Sequence, residues 1–227
     1  MTTPVTLVIA NKNYSSWSLR PWLVMTELGI AFNERMLKFD SEDWAKNIAT
    51  LSPSRLVPVL WEGEPGKGLP SFDTLAIIER LHELFPDKAV WPRNAEARAR
   101  ARSLCADFHA DYRALRAAMP MNLRGRYPGK GMHPEVAQEI ERLTGHWVRT
   151  RREFGAGGRF LFGDYCAADA YFTPVVSRFV TYGVDLEGEA RSYQQTLLGA
   201  ASFAAWRTAA LQETEFVAAD EPYALPR

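Results

Sequence analysis

The chain has 227 residues, 47% hydrophobic and 12% aromatic, with 27 basic and 27 acidic side chains and a formal net charge of zero. That much apolar material supports a sizeable core and two domains, and balanced charge gives no electrostatic case for nucleic acid or an anionic membrane as partner. The two cysteines, Cys105 and Cys166, are too few and too far apart for a disulfide framework or a cysteine metal motif.

The first third alternates strand-like and helix-like segments. Val5–Ala10 is a short apolar run that reads as a buried strand, and it is too short for a signal-peptide core. With no apolar run near the ~18 residues of a membrane span, a reducing cytoplasm is the expected location. A helix follows, with Leu19, Trp22, Leu23, Thr26 and Ile30 at helical spacing, Ser16 or Ser18 as its cap and Gly29 at its end. Phe32–Phe39 reads as a second strand, and Ser41-Glu42-Asp43-Trp44 as the start of a short helix. Leu56–Trp61 is a third strand interrupted by Pro58, which a central strand position would not accept. Glu62–Gly68 is turn material, with Leu69–Ser71 completing a hairpin. Asp73 caps a helix carrying Leu75, Ile78, Leu81 and Phe85 on one face, ended by Pro86.

Strand signals then almost vanish. Phe85–Asn94 holds Pro86 and Pro92 without periodicity and reads as a linker. Ala95–Met119 is expected to be one long amphipathic helix ended by Pro120, and Tyr127–Pro134 a loop. Further helices are expected over Glu135–Phe154, Cys166–Val184, Ser192–Leu198 and Ser202–Leu211, the first broken by Gly155-Ala156-Gly157-Gly158. The tail after Phe216 lacks periodicity. The expected fold is α/β plus all-α: residues 1–86 as βαβαββα, a linker over 87–94, and a helical domain over 95–227.

Between the first strand and the first helix lies Asn13-Tyr14-Ser15-Ser16-Trp17-Ser18-Leu19-Arg20-Pro21-Trp22. A helix start carries unpaired N–H groups and a partial positive charge, so hydroxyls clustered there suit a bound anion. The histidines, His82, His109, His133 and His146, show no metal-binding spacing, and no metal is expected.

In its order of motifs the chain resembles the cytosolic glutathione transferases, which have a thioredoxin-like first domain and a helical second. Ser15-Ser16-Trp17-Ser18-Leu19-Arg20 is similar to the SSCSxR stretch of the zeta class, and Pro53-Ser54-Arg55-Leu56-Val57-Pro58 to the family's NPxxxVP element. Phe72-Asp73-Thr74-Leu75-Ala76-Ile77-Ile78-Glu79 resembles the E/D-S-x-A-I helix start, and Gly163-Asp164-Tyr165-Cys166-Ala167-Ala168-Asp169 the G-D-x-S-x-A-D motif. The resemblance implies glutathione as co-substrate, bound by the Val57 backbone before a cis Pro58, by Asp73 and Thr74 at the γ-glutamyl end, and by Arg55 at the glycyl carboxylate.

It also implies a thiolate at Ser15, with Tyr14 as the alternative hydroxyl donor and Ser18 as a simple cap. A free thiol with a pKa near 8.5 is only about 3% ionised at neutral pH, and lowering it by about two units takes about 2.7 kcal/mol. One charge-assisted hydrogen bond supplies about 1.5–3 kcal/mol and a helix N-terminus about 0.3–1 kcal/mol, so no general base is required. The implied activity is conjugation of the thiolate to small hydrophobic electrophiles. The alternatives are isomerisation of the maleylacetoacetate or maleylpyruvate type, or a binding protein without turnover. Trp17, standing where the zeta class has cysteine, together with His109, Tyr112 and Arg113, and with Arg116 beside them, is expected at the electrophile pocket or the subunit contact of an implied homodimer. Cys166 stands at a helix cap where the family has Ser or Thr, so Asp164 or Asp169 is expected to help satisfy that helix start.

Overall fold

A computed structural model describes residues 4–155 and 157–224 of the chain. Ala156 of the glycine-rich break and the extreme ends of both expected domains lie outside the described residues. The first part runs β1 (Val5–Ile9), α1 (Ser16–Glu27), β2 (Asn33–Met36), α2 (Glu42–Leu51), β3 (Val59–Glu62), β4 (Leu69–Phe72) and α3 (Thr74–Leu84). The sheet order is β2-β1-β3-β4, with β1 parallel to β2 and antiparallel to β3, and β3 antiparallel to β4. This is the thioredoxin-like βαβαββα arrangement.

Every residue of β1 is buried, because helices cover both faces of the sheet. Val5, Leu7 and Ile9 join Leu60 in the core beneath α1 and α3, while Val8, Val59 and Trp61 pack with Ile48 of α2 on the opposite face. That alternation is the two-residue period of a strand, and each fully buried Leu, Ile or Val contributes about 1.5–3 kcal/mol. Pro58 precedes β3 rather than interrupting it, and the Val57–Pro58 bond is cis. Gly29, at φ 61°, turns the chain after α1, where Ile30 donates to the Met25 carbonyl at 2.8 Å.

The second part is helical: α4 (Ala95–Ala110), α5 (Arg113–Ala118), α6 (Pro134–Phe154), α7 (Ala167–Tyr182), α8 (Gly188–Leu198) and α9 (Ala201–Leu211). The expected long helix over Ala95–Met119 is therefore two. Tyr112 adopts a left-handed φ of 59°, and Glu139 of α6 accepts hydrogen bonds from the Ala114 and Leu115 N–H groups, capping α5 from outside. Arg116 in turn donates to the His109 carbonyl at 2.9 Å, closing the end of α4. Segment 85–94 is no loose tether, since Val90 and Trp91 are buried and Ala167 donates to the Val90 carbonyl at 2.8 Å.

Helix α7 is buried along nearly its whole length and packs on α1, α4 and α8, so it is the axis of the molecule. Its start is held by Asp169. The carboxylate accepts from the Leu161 N–H at 3.0 Å, the Cys166 N–H at 2.9 Å and the Tyr193 hydroxyl at 2.9 Å. Asp169 thus supplies the anchor that Cys166 lacks, and both Cys105 and Cys166 are buried free thiols pushed well above the usual range by burial. The segment after α9 ends in a short 3-10 turn, Ala218–Asp220, folded back onto the first part of the chain.

Candidate functional site

The loop between β1 and α1 is pinned from several directions. The N–H groups of Lys12 and Asn13 donate to the Glu213 carboxylate at 2.7 and 3.0 Å, and the Trp206 indole donates to the Lys12 carbonyl at 2.8 Å. Asn13 donates through its amide to Asn122 at 3.0 Å and accepts from the Arg124 N–H at 2.9 Å. A loop so held presents the first turn of α1 in one orientation.

Ser15, rather than Ser16 or Ser18, is the N-cap of α1. Its hydroxyl donates to Ser18 Oγ at 2.7 Å, and Ser18 Oγ in turn accepts from the Ala10 N–H at 3.3 Å. Tyr14 is 3% exposed, and its hydroxyl lies 2.5 Å from Glu221 Oε1 while accepting from Arg124 Nη2 at 2.7 Å. Burial first, then Glu221, raises the Tyr14 phenol above its ordinary value. Tyr14, Ser15 and Val57 all line one cleft of about 390 Å³, whose apolar wall includes Trp17, Phe39 and Trp44. The N–H and carbonyl of Val57 make no backbone hydrogen bond among the described residues.

The start of α3 adjoins the same helix turn. Asp73, at φ 74°, caps α3 by accepting from the Leu75 N–H at 2.9 Å, and the Thr74 hydroxyl donates to the Trp17 carbonyl at 3.0 Å. The Thr74 hydroxyl and the Leu75 N–H are thereby both engaged within the protein. Arg55 is exposed, with a left-handed φ of 58°, two residues before Val57.

The residues expected at the electrophile pocket separate. Trp17 lines the cleft, and His109 touches it from α4 with ring centroids 5.1 Å apart. His109 bridges the two parts of the chain, with Nδ1 at 2.7 Å from the Tyr171 hydroxyl and Nε2 at 3.3 Å from Asp73 Oδ2. Arg116 lines the cleft as well, its guanidinium 5.5 Å from the Trp17 ring. Tyr112 lies elsewhere, buried against Phe108 with its hydroxyl donating to Asp107 at 3.0 Å. Arg113 is exposed in a separate depression beside Asp111 and Glu135.

Residues 14–84 match the family model of the glutathione S-transferase N-terminal domain. Both the sheet order and the helical second part agree with that family. Residues 14–84 are a glutathione S-transferase N-terminal domain. Among curated proteins it is 28% identical to a maleylpyruvate isomerase from Ralstonia sp over 191 residues, 77% of this chain and 85% of the relative. It is 24% identical to a stringent starvation protein A homolog from Pasteurella multocida (strain Pm70) over 166 residues, 73% of this chain and 71% of the relative. Among solved structures it is similar to a glutathione transferase homolog from Burkholderia GL BGR1, solved with bound glutathione. That likeness has a TM-score of 0.68 and 24% identity, and covers 92% of this chain and all of that one.

Against that family background, three features of the cleft lie outside the motifs. Arg178 of α7 is 5% exposed, and its Nη2 donates to Ser16 Oγ at 3.1 Å. Asp220, from the C-terminal turn, lines the same cleft, and Glu221 beside it holds Tyr14 and, at 2.9 Å, the Tyr127 hydroxyl. Glu213 fixes the loop before Ser15. Arg178 alone left a sequence signal: a single guanidinium inside the otherwise apolar run Tyr171–Val180. The tail carboxylates left none, because their partners lie about 200 residues away. Among the described residues no group of His, Cys, Asp or Glu is arranged to hold a metal, and no helix is long and apolar enough to cross a membrane.

Proposed function

We propose that this protein binds glutathione, holds it as the thiolate at Ser15 and transfers it to small electrophiles. The observation that carries the reading is a cleft lined by a serine N-cap and by Val57, whose backbone makes no hydrogen bond among the described residues, with the start of α3 tied to the same helix turn through Thr74 and the Trp17 carbonyl. An extended peptide pairs with such a free backbone edge, and its carboxylate suits a helix start. The solved relative with bound glutathione supports the same ligand.

Of the two candidate hydroxyls, the geometry favours Ser15. The Tyr14 proton is taken by Glu221, whereas the Ser15 proton goes to a neutral serine oxygen that a thiolate outcompetes. Exchanging a neutral hydrogen bond of about 1 kcal/mol for a charge-assisted one of about 1.5–3 kcal/mol makes that rotation favourable. Arg55 would face the glycyl carboxylate, and Asp73 the γ-glutamyl ammonium. The thiol proton leaves to solvent, sulfur attacks the electrophilic carbon, and the leaving group or enolate takes the displaced electron pair.

Retention on immobilised glutathione, followed by conjugation of a chloronitrobenzene, tests the reading. Ser15→Ala is expected to lower the conjugation rate about ten- to hundredfold with the fold intact. No binding of glutathione at millimolar concentration refutes it, and an unchanged Ser15→Ala rate beside a collapse in Tyr14→Phe moves the donor. Isomerisation, supported by the Ralstonia relative, would return glutathione unconsumed. A homodimer in the cytoplasm is proposed by the same resemblance, and sedimentation showing only monomer would remove it.

A further inference from the structure

Protein interiors leave few voids larger than a water molecule, so a cavity with charged groups at its mouth calls for an explanation. Helices α7 and α9, the end of α8 and the loop after α5 enclose a second cavity of about 130 Å³, which shares no residue with the cleft at Ser15. Leu123 and Phe203 are buried in its floor, Val180 and Leu198 add apolar wall, and the exposed Arg126 and Arg207 stand at its mouth. An apolar cavity of about 150 Å³ takes up one benzene ring, so there is room here for a single ring.

The polar groups of the cavity divide by depth. Its two buried hydroxyls are spent, Ser177 donating to the Pro174 carbonyl and Thr181 to the Asn122 carbonyl, each at 2.8 Å. The two guanidiniums are not. Arg126 donates to the Gly125 carbonyl at 2.7 Å, Arg207 makes no side-chain hydrogen bond, and neither is ion-paired among the described residues. A floor without a free donor accepts an apolar ring, and a mouth with two free guanidiniums holds a carboxylate.

The same walls support the loop before Ser15. Trp206, between Phe203 and Arg207 on α9, donates to the Lys12 carbonyl at 2.8 Å. The Leu123 N–H donates to the Asn13 carbonyl at 3.3 Å, and its neighbours Asn122 and Arg124 hold the Asn13 side chain at 3.0 and 2.9 Å. Thr181 ties that segment to α7. A ligand filling the cavity needs α7, α9 and this segment together, so it favours the arrangement in which the loop is pinned over any in which a wall lifts away.

We propose that this cavity is a regulatory site for a small aryl carboxylate, and that its occupancy tightens glutathione binding at the cleft. The coupling rests on the glutathione-transfer reading, whereas the site itself does not.

The probes are 3-phenylpropionate and its neutral analogue 3-phenylpropanamide, titrated calorimetrically into the full chain, with folding checked by circular dichroism. The acid is expected to bind severalfold more tightly than the amide. Arg126→Gln and Arg207→Gln should each weaken the acid severalfold, the double variant should bring it to the level of the amide, and Val180→Phe, which fills the cavity, should abolish binding of both. Saturating acid is expected to lower the dissociation constant of glutathione severalfold, and saturating glutathione to tighten the acid by the same factor, because coupling between two sites is reciprocal. No binding of the acid at millimolar concentration, or acid binding unchanged in the double variant, overturns the site. A glutathione dissociation constant that rises with added acid equally in the parent and in Val180→Phe would put the acid in the cleft, and also overturns it. Acid binding that leaves the glutathione constant unchanged overturns the coupling. Failure to bind glutathione while the acid still binds through Arg126 and Arg207 removes the transfer reading and keeps the site.

Discussion

Replacing Asp169 with alanine should unsettle the whole molecule, although the residue lies at the far end of α7 from Arg178. Its carboxylate serves three donors, the N–H groups of Leu161 and Cys166 and the Tyr193 hydroxyl, and all four residues are almost wholly buried. Each stranded buried donor costs about 1–3 kcal/mol, so the gross penalty is about 3–9 kcal/mol. Burial raises the Asp169 carboxyl from 3.8 to about 6, which means that its ionisation opposes folding by about 3 kcal/mol at neutral pH, an amount the substitution returns. Taking the middle of that range, about 6 kcal/mol, the net expectation is a loss of about 3 kcal/mol, a large share of the about 5–15 kcal/mol of a typical domain. For a chain of this size that lowers Tm by about 6–12 °C. Asp169→Asn keeps one oxygen for Leu161 and Tyr193 but turns an amide N–H towards Cys166, so it should lose less. Urea unfolding followed by far-ultraviolet circular dichroism measures both. An alanine variant within about 1 kcal/mol of the parent, or less damaged than the asparagine variant, would refute the reasoning.

Glu213→Ala strands the N–H groups of Lys12 and Asn13 and should cost about 2–6 kcal/mol, with KM for glutathione raised severalfold because the loop leads directly to Ser15. Steady-state kinetics with unchanged KM would show that the loop holds its shape without the tail. Tyr14→Phe should reduce conjugation far less than Ser15→Ala while loosening the tail, read as faster proteolysis beyond residue 212. For pH, the folded-state values of Asp169 and Asp220 both rise from 3.8 to about 6. The stability from these raised values is complete below about pH 4 and is lost as pH climbs through about 6. The parent should therefore lose more stability than Asp169→Asn between about pH 4.5 and 7.5, and parallel profiles would contradict the assignment.

Much of the first part of the fold is legible in the sequence because local chemistry decides it. Ser41 and Asp73 both cap the helices they precede, Gly29 ends α1, and Pro58 keeps β3 from starting earlier. The break at Tyr112 is not legible, since residues 95–119 have an unbroken helical pattern. Its cause is Glu139 and Arg142 from α6, the latter pairing with Asp111 at 2.6 Å, and no local rule encodes a partner that far along the chain. The candidate site divides in the same way. Local chemistry points to Ser16 or Ser18 as the cap, and only the resemblance singles out Ser15 and Val57; it also offers Tyr112 and Arg113 for the electrophile pocket or the subunit contact, and both lie away from the cleft. The left-handed turn at Tyr112 sends Tyr112 into the core and Arg113 to the surface. Arg178 belongs to a helix whose burial only the assembled fold reveals.

The return of the C-terminal segment onto the β1–α1 loop bears on how the protein is made. A ribosome releases the strand, the serines and the first helix long before Glu213 and Glu221 emerge, and domains tend to fold as they appear. Here the loop ahead of Ser15 lacks the carboxylate that receives two of its N–H groups until Glu213, about 200 residues further on, has been made. The first part can collapse early, but the loop before Ser15 takes its final form only after Glu213 has joined it. A nascent chain would therefore carry the start of α1 without its finished geometry.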